Sequence, residues 1–180
     1  IDLVRKWLPD GFERITLKGN HEDLLLRFLD GDHDAGRLWF DYGGLDALRH
    51  YGVAFPDPQA RDDASVAVLR DRFASALPQA HRDFFESLRI RYHAGDYCFV
   101  HGGVRPGVPL TEQSDHDCMW IRKSFLDSDL DHGAIIVHGH NISSQPVVRH
   151  NRIGIDTGAY SSGVLTGLVL DGTTLNFLQT

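Results

Sequence analysis

The chain has 180 residues and a formal charge of −7, with 42% hydrophobic and 24% charged residues. These are globular values that exclude wholesale disorder, and the length suits one ordinary domain or a larger one with an insertion. The acidic balance counts against a nucleic-acid polymer as partner, two cysteines are too few for a disulfide scaffold and suggest a reducing, cytoplasmic setting, and no apolar run approaches the ~20 residues of a membrane helix.

Ile1 to Leu8 reads as the end of a helix: Ile1, Val4 and Leu8 share a face, Trp7 stands beside them and Pro9 stops the run. With Met119 the only methionine, that helix tail leads to the expectation that the chain continues from an earlier segment. Asp10-Gly11 turns into a short strand, Arg14 to Leu17, and Asn20 is a good N-cap for a helix over His21 to Leu29. Residues 30–80 are rich in Gly, Asp and scattered aromatics and read as a mostly helical insertion. Its main helix is Ala64 to Leu77, and Trp39, Phe40, Tyr42 and Phe55 hold it to the body. Gln79 to Leu88 forms another helix after Pro78. Arg89 to His93 and Tyr97 to Val100 form a hairpin, Asp117 to Leu126 a helix, and Ala134 to Val137 a buried strand. Val147 to Ile155 and Gly163 to Leu178 form two more hairpins, the second turning at Asp171-Gly172.

The informative pattern is how the strands end. Ile15-Thr16-Leu17-Lys18 runs into Gly19-Asn20-His21-Glu22, Tyr97-Cys98-Phe99-Val100 into His101-Gly102-Gly103, and Ile135-Ile136-Val137 into His138-Gly139-His140-Asn141. Three times an apolar strand delivers a His, with Gly beside it, into a loop, and sites in open α/β sheets are built at such strand ends. One such His reads as a polar loop residue; three together read as a shared site. Glycine, lacking Cβ, lets backbone approach an ion or phosphate closely. Imidazole suits Zn and Fe, oxygen donors suit Mn, and the absence of Cys argues against a structural Zn site.

These three blocks, in this order, resemble successive blocks of the calcineurin-like metallophosphoesterases, closest to the bacterial PPP-type serine/threonine protein phosphatases and their diadenosine-tetraphosphatase-like relatives. Two weaker blocks agree: Met119-Trp120-Ile121-Arg122, and Ile155-Asp156-Thr157-Gly158-Ala159-Tyr160 ahead of Leu165-Thr166-Gly167-Leu168. The likeness spans residues 13–28 and 97–178 and leaves out the insertion. It implies a four-layer α-β-β-α sandwich of two mixed sheets in a single, incomplete domain over 1–180. It also implies two divalent metal ions, Mn preferred with Fe or Zn as alternatives. Asn20, His101 and His140 are then ligands of the second metal, His21 the general acid at the leaving oxygen, and Arg122 the holder of phosphate oxygens.

The chemistry is coherent by itself. Two metals ~3.5–4 Å apart supply a hydroxide at neutral pH and stabilise attacking and leaving oxygens. Histidine titrates in the useful range for a proton donor, and a guanidinium binds phosphoryl oxygens bidentately. Among the remaining residues, Glu22 reads as a helix-start acid, with a place behind the ligands as the alternative. Arg105 reads as a solvated loop residue that can reach substrate. His138 reads as structural, with support of His140 from behind as the alternative. Tyr160 divides evenly between packing and bordering the site. His33, His50, His81, His93, His116, His132 and His150 read as surface or loop residues, Cys98 and Cys118 as small buried groups, and Trp120 as a core anchor.

The resembling family has two earlier blocks, Gly-Asp-x-His-Gly and Gly-Asp-x-x-Asp-Arg-Gly, which supply the first metal's ligands; neither occurs here. Truncation is the expected cause, and the 180 residues alone are expected to be inactive. The expected parent activity is metal-dependent hydrolysis of phosphomonoesters, of the serine/threonine phosphoprotein phosphatase type. A diadenosine polyphosphate hydrolase is the alternative within the class, and a non-catalytic metal-binding module the alternative outside it. The expected partner is a phosphorylated protein or small phosphoester, with no membrane involved.

Overall fold

Helices fill the first half of the chain and strands the second, so the hydrophobic pattern changes period near residue 90. The computed structural model describes residues 1–55, 57, 59 and 61–180; Pro56, Pro58 and Ala60, inside the segment read as an insertion, lie outside the described residues. The chain divides into two compact units, Ile1–Leu88 and Arg89–Thr180. Together they make an α/β chain with one mixed sheet, a second small sheet and helices.

The first unit contains α1 (Asp2–Lys6), α2 (Asn20–Leu29), α3 (His33–Trp39), a wide turn over Phe40–Gly44, α4 (Leu45–His50), α5 (Asp63–Ala76) and α6 (Gln79–Glu86). Its core is built on aromatic rings. Phe28 of α2 is fully buried, edge-on to Phe40 at 5.2 Å and near Trp39 at 5.8 Å, while Trp39 lies 5.6 Å from Phe73 of α5. Residues 30–80 therefore supply most of the core around Phe28. Of the four aromatics read as holding this segment, Trp39 and Phe40 are buried, Phe55 carries the Arg49 guanidinium over its ring, and Tyr42 is exposed. Tyr42 sits where the helix kinks at Tyr42 and Gly43 (φ 96°), which turns its ring outward. Asp32 and Asp62 cap α3 and α5 by accepting from the backbone N–H of Ala35 and Ser65.

Two local expectations change in this unit. Arg14 to Leu17 forms no strand; Leu17 alone makes a bridge, because extended backbone becomes a strand only where a ladder partner runs beside it. At α2 the cap is Gly19, in extended conformation, and Asn20 is the first helical residue. Glu22 reaches back and accepts from the Gly19 N–H at 2.9 Å, so the orphan donor is satisfied from three residues ahead.

The second unit holds a five-stranded mixed sheet of order β1-β2-β3-β5-β4, with β1 Arg91–Ala94, β2 Tyr97–Val100, β3 Ile135–His138, β4 Val147–Val148 and β5 Arg152–Gly154. β2, β3 and β5 run parallel, while β1 and β4 are antiparallel edges. A separate hairpin pairs β6 (Thr166–Asp171) with β7 (Thr174–Gln179). Its two-residue loop is Gly172-Thr173, one residue later than expected, and Gly172 takes φ 55°.

The helix expected over Asp117 to Leu126 is broken in two: α7 (Asp115–Trp120) and α8 (Lys123–Leu126). Ser114 caps α7 by accepting from Asp117 N–H. Ile121 is extended, and Arg122 at the break has φ −131° and ψ −104°. Cys98, Val100 and Ile136 from the sheet pack with Val104, Cys118, Ile121 and Phe125 as the core. A last short helix, α9 (Ala159–Ser162), precedes the hairpin.

Candidate functional site

The sequence-derived site residues fall in both units. Asn20, His21 and Glu22 open α2 in the first unit. Asn20 is buried in the first turn, Glu22 is engaged by the Gly19 N–H, and His21 is exposed. His21 lines a cleft of about 660 Å³ with Leu25, Trp39, Tyr51, His81 and Phe85. Within it the Tyr51 hydroxyl lies 2.8 Å from His81 Nδ1, and His81 Nε2 lies 3.3 Å from the Asp2 carboxylate. Burial, reinforced by Asp2, pushes the Tyr51 phenol above its ordinary value. His81 is therefore not a surface residue: it sits mid-chain in this hydrogen-bonded row.

In the second unit, parallel pairing brings two of the three strand ends together. Phe99 is in register with Val137, and beyond them Gly139 N–H donates to the His101 carbonyl at 2.9 Å. The rings of His101 and His140 consequently lie 5.0 Å apart between centroids. His140 is buried and has φ 61°, a conformation that costs a side-chain-bearing residue about 1–2 kcal/mol. Such strain persists where surrounding contacts over-determine it. Here Asn141 N–H bonds the Gly139 carbonyl at 2.6 Å, and Arg122 donates to the His140 carbonyl at 3.3 Å.

The break between α7 and α8 places Arg122 at this pair, where the same Nη1 lies 3.4 Å from Asn141 Oδ1. Asn141 Nδ2 donates to the Gly102 carbonyl at 3.3 Å. Trp120 is half-buried, stacked on His116 and edge-on to His140 at 6.3 Å, so it borders the pair and is not sealed in the core. The glycines serve protein packing. A Cβ on Gly102 would meet the Met119 backbone at 2.9 Å, and one on Gly103, at φ 147°, would meet the Phe125 ring at 2.3 Å.

The remaining candidates have structural partners or none near the pair. Arg105 makes a two-pronged bond to Asp117, at 2.8 and 2.7 Å, which holds that carboxyl below its usual range. His138 is buried, edge-on to Phe125 at 5.0 Å, with Nδ1 3.0 Å from the Gly139 carbonyl; burial lowers its pKa. Tyr160 is 88% exposed. Both cysteines are free and fully buried, and desolvation pushes the Cys98 thiol up to about 11.

Two residues in this arrangement escaped the sequence reading. Asn141 carried a signal, standing directly after His140. Asp117 carried none, since its partner is twelve residues away in the chain. Two imidazoles at this separation can reach one ion lying ~2 Å from each ring nitrogen. Among the described residues, no group of three or more His, Cys, Asp or Glu side chains is placed to hold a metal. Comparison with family models and with curated proteins finds no match for the chain.

Proposed function

We propose that the chain is part of a metal-dependent phosphoesterase of the serine/threonine phosphoprotein phosphatase type, built on a metallophosphoesterase sandwich. The observation that carries this reading is the convergence of His101, His140 and Arg122 at neighbouring strand ends. Two imidazoles and a guanidinium are what a metal-held phosphate needs on one side.

Two residues of the second unit fit part of a metal site: His101 and His140 would hold an ion; Asn20, in the first unit, is an amide ligand only as the resemblance of its block implies. A metal bound there would supply positive field and a hydroxide at neutral pH. Arg122 binds phosphoryl oxygens through its planar fork. The resemblance of its block would make His21, in the first unit, the proton donor to the departing oxygen.

The test has two parts. Mn²⁺ added to the 180-residue chain is expected to broaden the ring resonances of His101 and His140 before those of His33 or His150; undisturbed His101 and His140 rings would sink the reading. Turnover of a phosphopeptide or of diadenosine polyphosphate by these 180 residues with Mn²⁺ is expected to be absent, because the Asp-bearing blocks are not among them. In a chain joining those blocks to this one, preferential hydrolysis of the phosphopeptide supports the phosphoprotein assignment, and exclusive hydrolysis of the dinucleotide overturns it.

A further inference from the structure

We propose that Asn141 positions the Arg122 guanidinium beside the His101–His140 pair, and that the position requires an uncharged side chain that accepts and donates at once. The inference rests on the phosphoesterase reading of Arg122.

Arg122 is exposed, at a helix break, and bonds through its guanidinium to the loop at His140 and Asn141. A long cationic side chain free in solvent must be ordered at the moment an anion binds, and that ordering weakens binding. Two acceptors meet its Nη1: the His140 carbonyl and Asn141 Oδ1. Asn141 is anchored in turn, since its Nδ2 donates to the Gly102 carbonyl in the loop that follows His101. One side chain thus ties together the two His-bearing loops and the guanidinium.

Only a group that accepts and donates at once completes this link. A carboxylate has acceptors alone, and an aliphatic side chain has neither. Asn also tolerates the tight backbone here, where its N–H closes on the Gly139 carbonyl next to the left-handed His140. An aspartate would hold Arg122 as an ion pair, lose the Gly102 bond and set a negative charge where an anion must enter. A neutral amide orients the guanidinium and leaves its charge uncompensated.

The experiment uses the full 180-residue chain, with inorganic phosphate and Mn²⁺ as probes, and the variants Arg122→Ala, Asn141→Leu and Asn141→Asp. Phosphate affinity in the presence of Mn²⁺ is expected to fall about fivefold in Asn141→Leu, the scale of one lost hydrogen bond, with Mn²⁺ affinity read on the His101 and His140 rings kept within about twofold. Asn141→Asp, nearly isosteric and least disturbing to the fold, is expected to lose phosphate affinity by a margin that shrinks as salt is raised. If both Asn141 variants keep wild-type phosphate affinity while Arg122→Ala loses it, the inference about Asn141 is wrong and the reading of Arg122 stands. If Arg122→Ala itself changes nothing, the phosphate role of Arg122 fails and the inference falls with it. Loss of Mn²⁺ affinity in parallel with phosphate in both Asn141 variants would assign the residue to the fold of the His140 loop and overturn the positioning role.

Discussion

At the scale of single residues, the second unit keeps imidazoles where water does not reach them freely. His132 lies 5.6 Å from the Phe125 ring, its Nε2 is buried without a hydrogen-bond partner among the described residues, and it is held below the ordinary imidazole value. Desolvation is the main cause, the nearby Arg152 charge adds to it, and Asp131 opposes it. The sign of the pH effect follows. The unfolded chain takes up a proton near its usual value of about 6.5, whereas the folded chain stays neutral until a lower pH. Stability is level above that value and declines as pH falls below it. Carboxylates held low by their partners, such as Asp32 and Asp117, weaken the fold only when protonated, below about pH 4. Urea unfolding is therefore expected to show a loss of midpoint as pH falls below about 6.5 that His132→Leu reduces. An unchanged slope in the variant would remove His132 as its source.

At the scale of elements, the decisive feature is the interruption between α7 and α8. One buried cation holds the far end of α8. Arg152 of β5 is 5% exposed; it donates to the Ser128 carbonyl and Asn151 Oδ1, bonds the Leu126 carbonyl, and lies over the Phe125 ring. Asn151 adds bonds to the Ser128 and Leu130 carbonyls. The carbonyls left open by the end of α8 are thus met by a guanidinium and an amide from the neighbouring strand. Arg122 caps the start of α8, so the first residue of β5 fixes the end of a helix whose N-cap bonds the His140 carbonyl. Arg152→Met keeps the side-chain length but strands those carbonyls, and is expected to cost about 3 kcal/mol in chemical denaturation. A cost under about 1 kcal/mol would mean that water replaces the bonds freely. Glycine serves the same assembly: at Gly103 the Phe125 ring of α8 occupies the space a Cβ would need.

At the scale of the whole molecule, the two units have separate cores, one of stacked aromatic rings and one of sheet and helix aliphatics around Phe125. Phe28→Ala opens the first of these and is expected to cost about 4 kcal/mol, the usual range for a buried ring. Hydrogen exchange should locate the loss in α2, α3 and α5 before it reaches β2 and β3. Simultaneous loss of protection in both units would instead show a single cooperative structure.

Much of this was legible in one sequence because the signals were local. Period 3.6 marked Val66, Leu69 and Phe73 on α5, and short apolar runs ending in glycine marked β2 and β3. Asp-Gly placed the last hairpin to within one residue. The candidate site was legible where strand ends carry it: His101 and His140 follow apolar runs, and parallel pairing then sets them side by side. What local pattern does not contain is which backbone groups meet a partner from elsewhere. Arg14 to Leu17 has a strand-like pattern yet no ladder beyond Leu17. Asp117 to Leu126 has a helical pattern yet breaks at Ile121 and Arg122, where core packing of Ile121 outweighs propensity. The sequence by itself determined the chemistry available: imidazoles, an arginine and amides in glycine-flanked loops. Only the tertiary structure decided which of them converge, because convergence depends on long-range hydrogen bonds such as those of Arg122, Asn141 and Arg152, whose partners lie eighteen or more residues away.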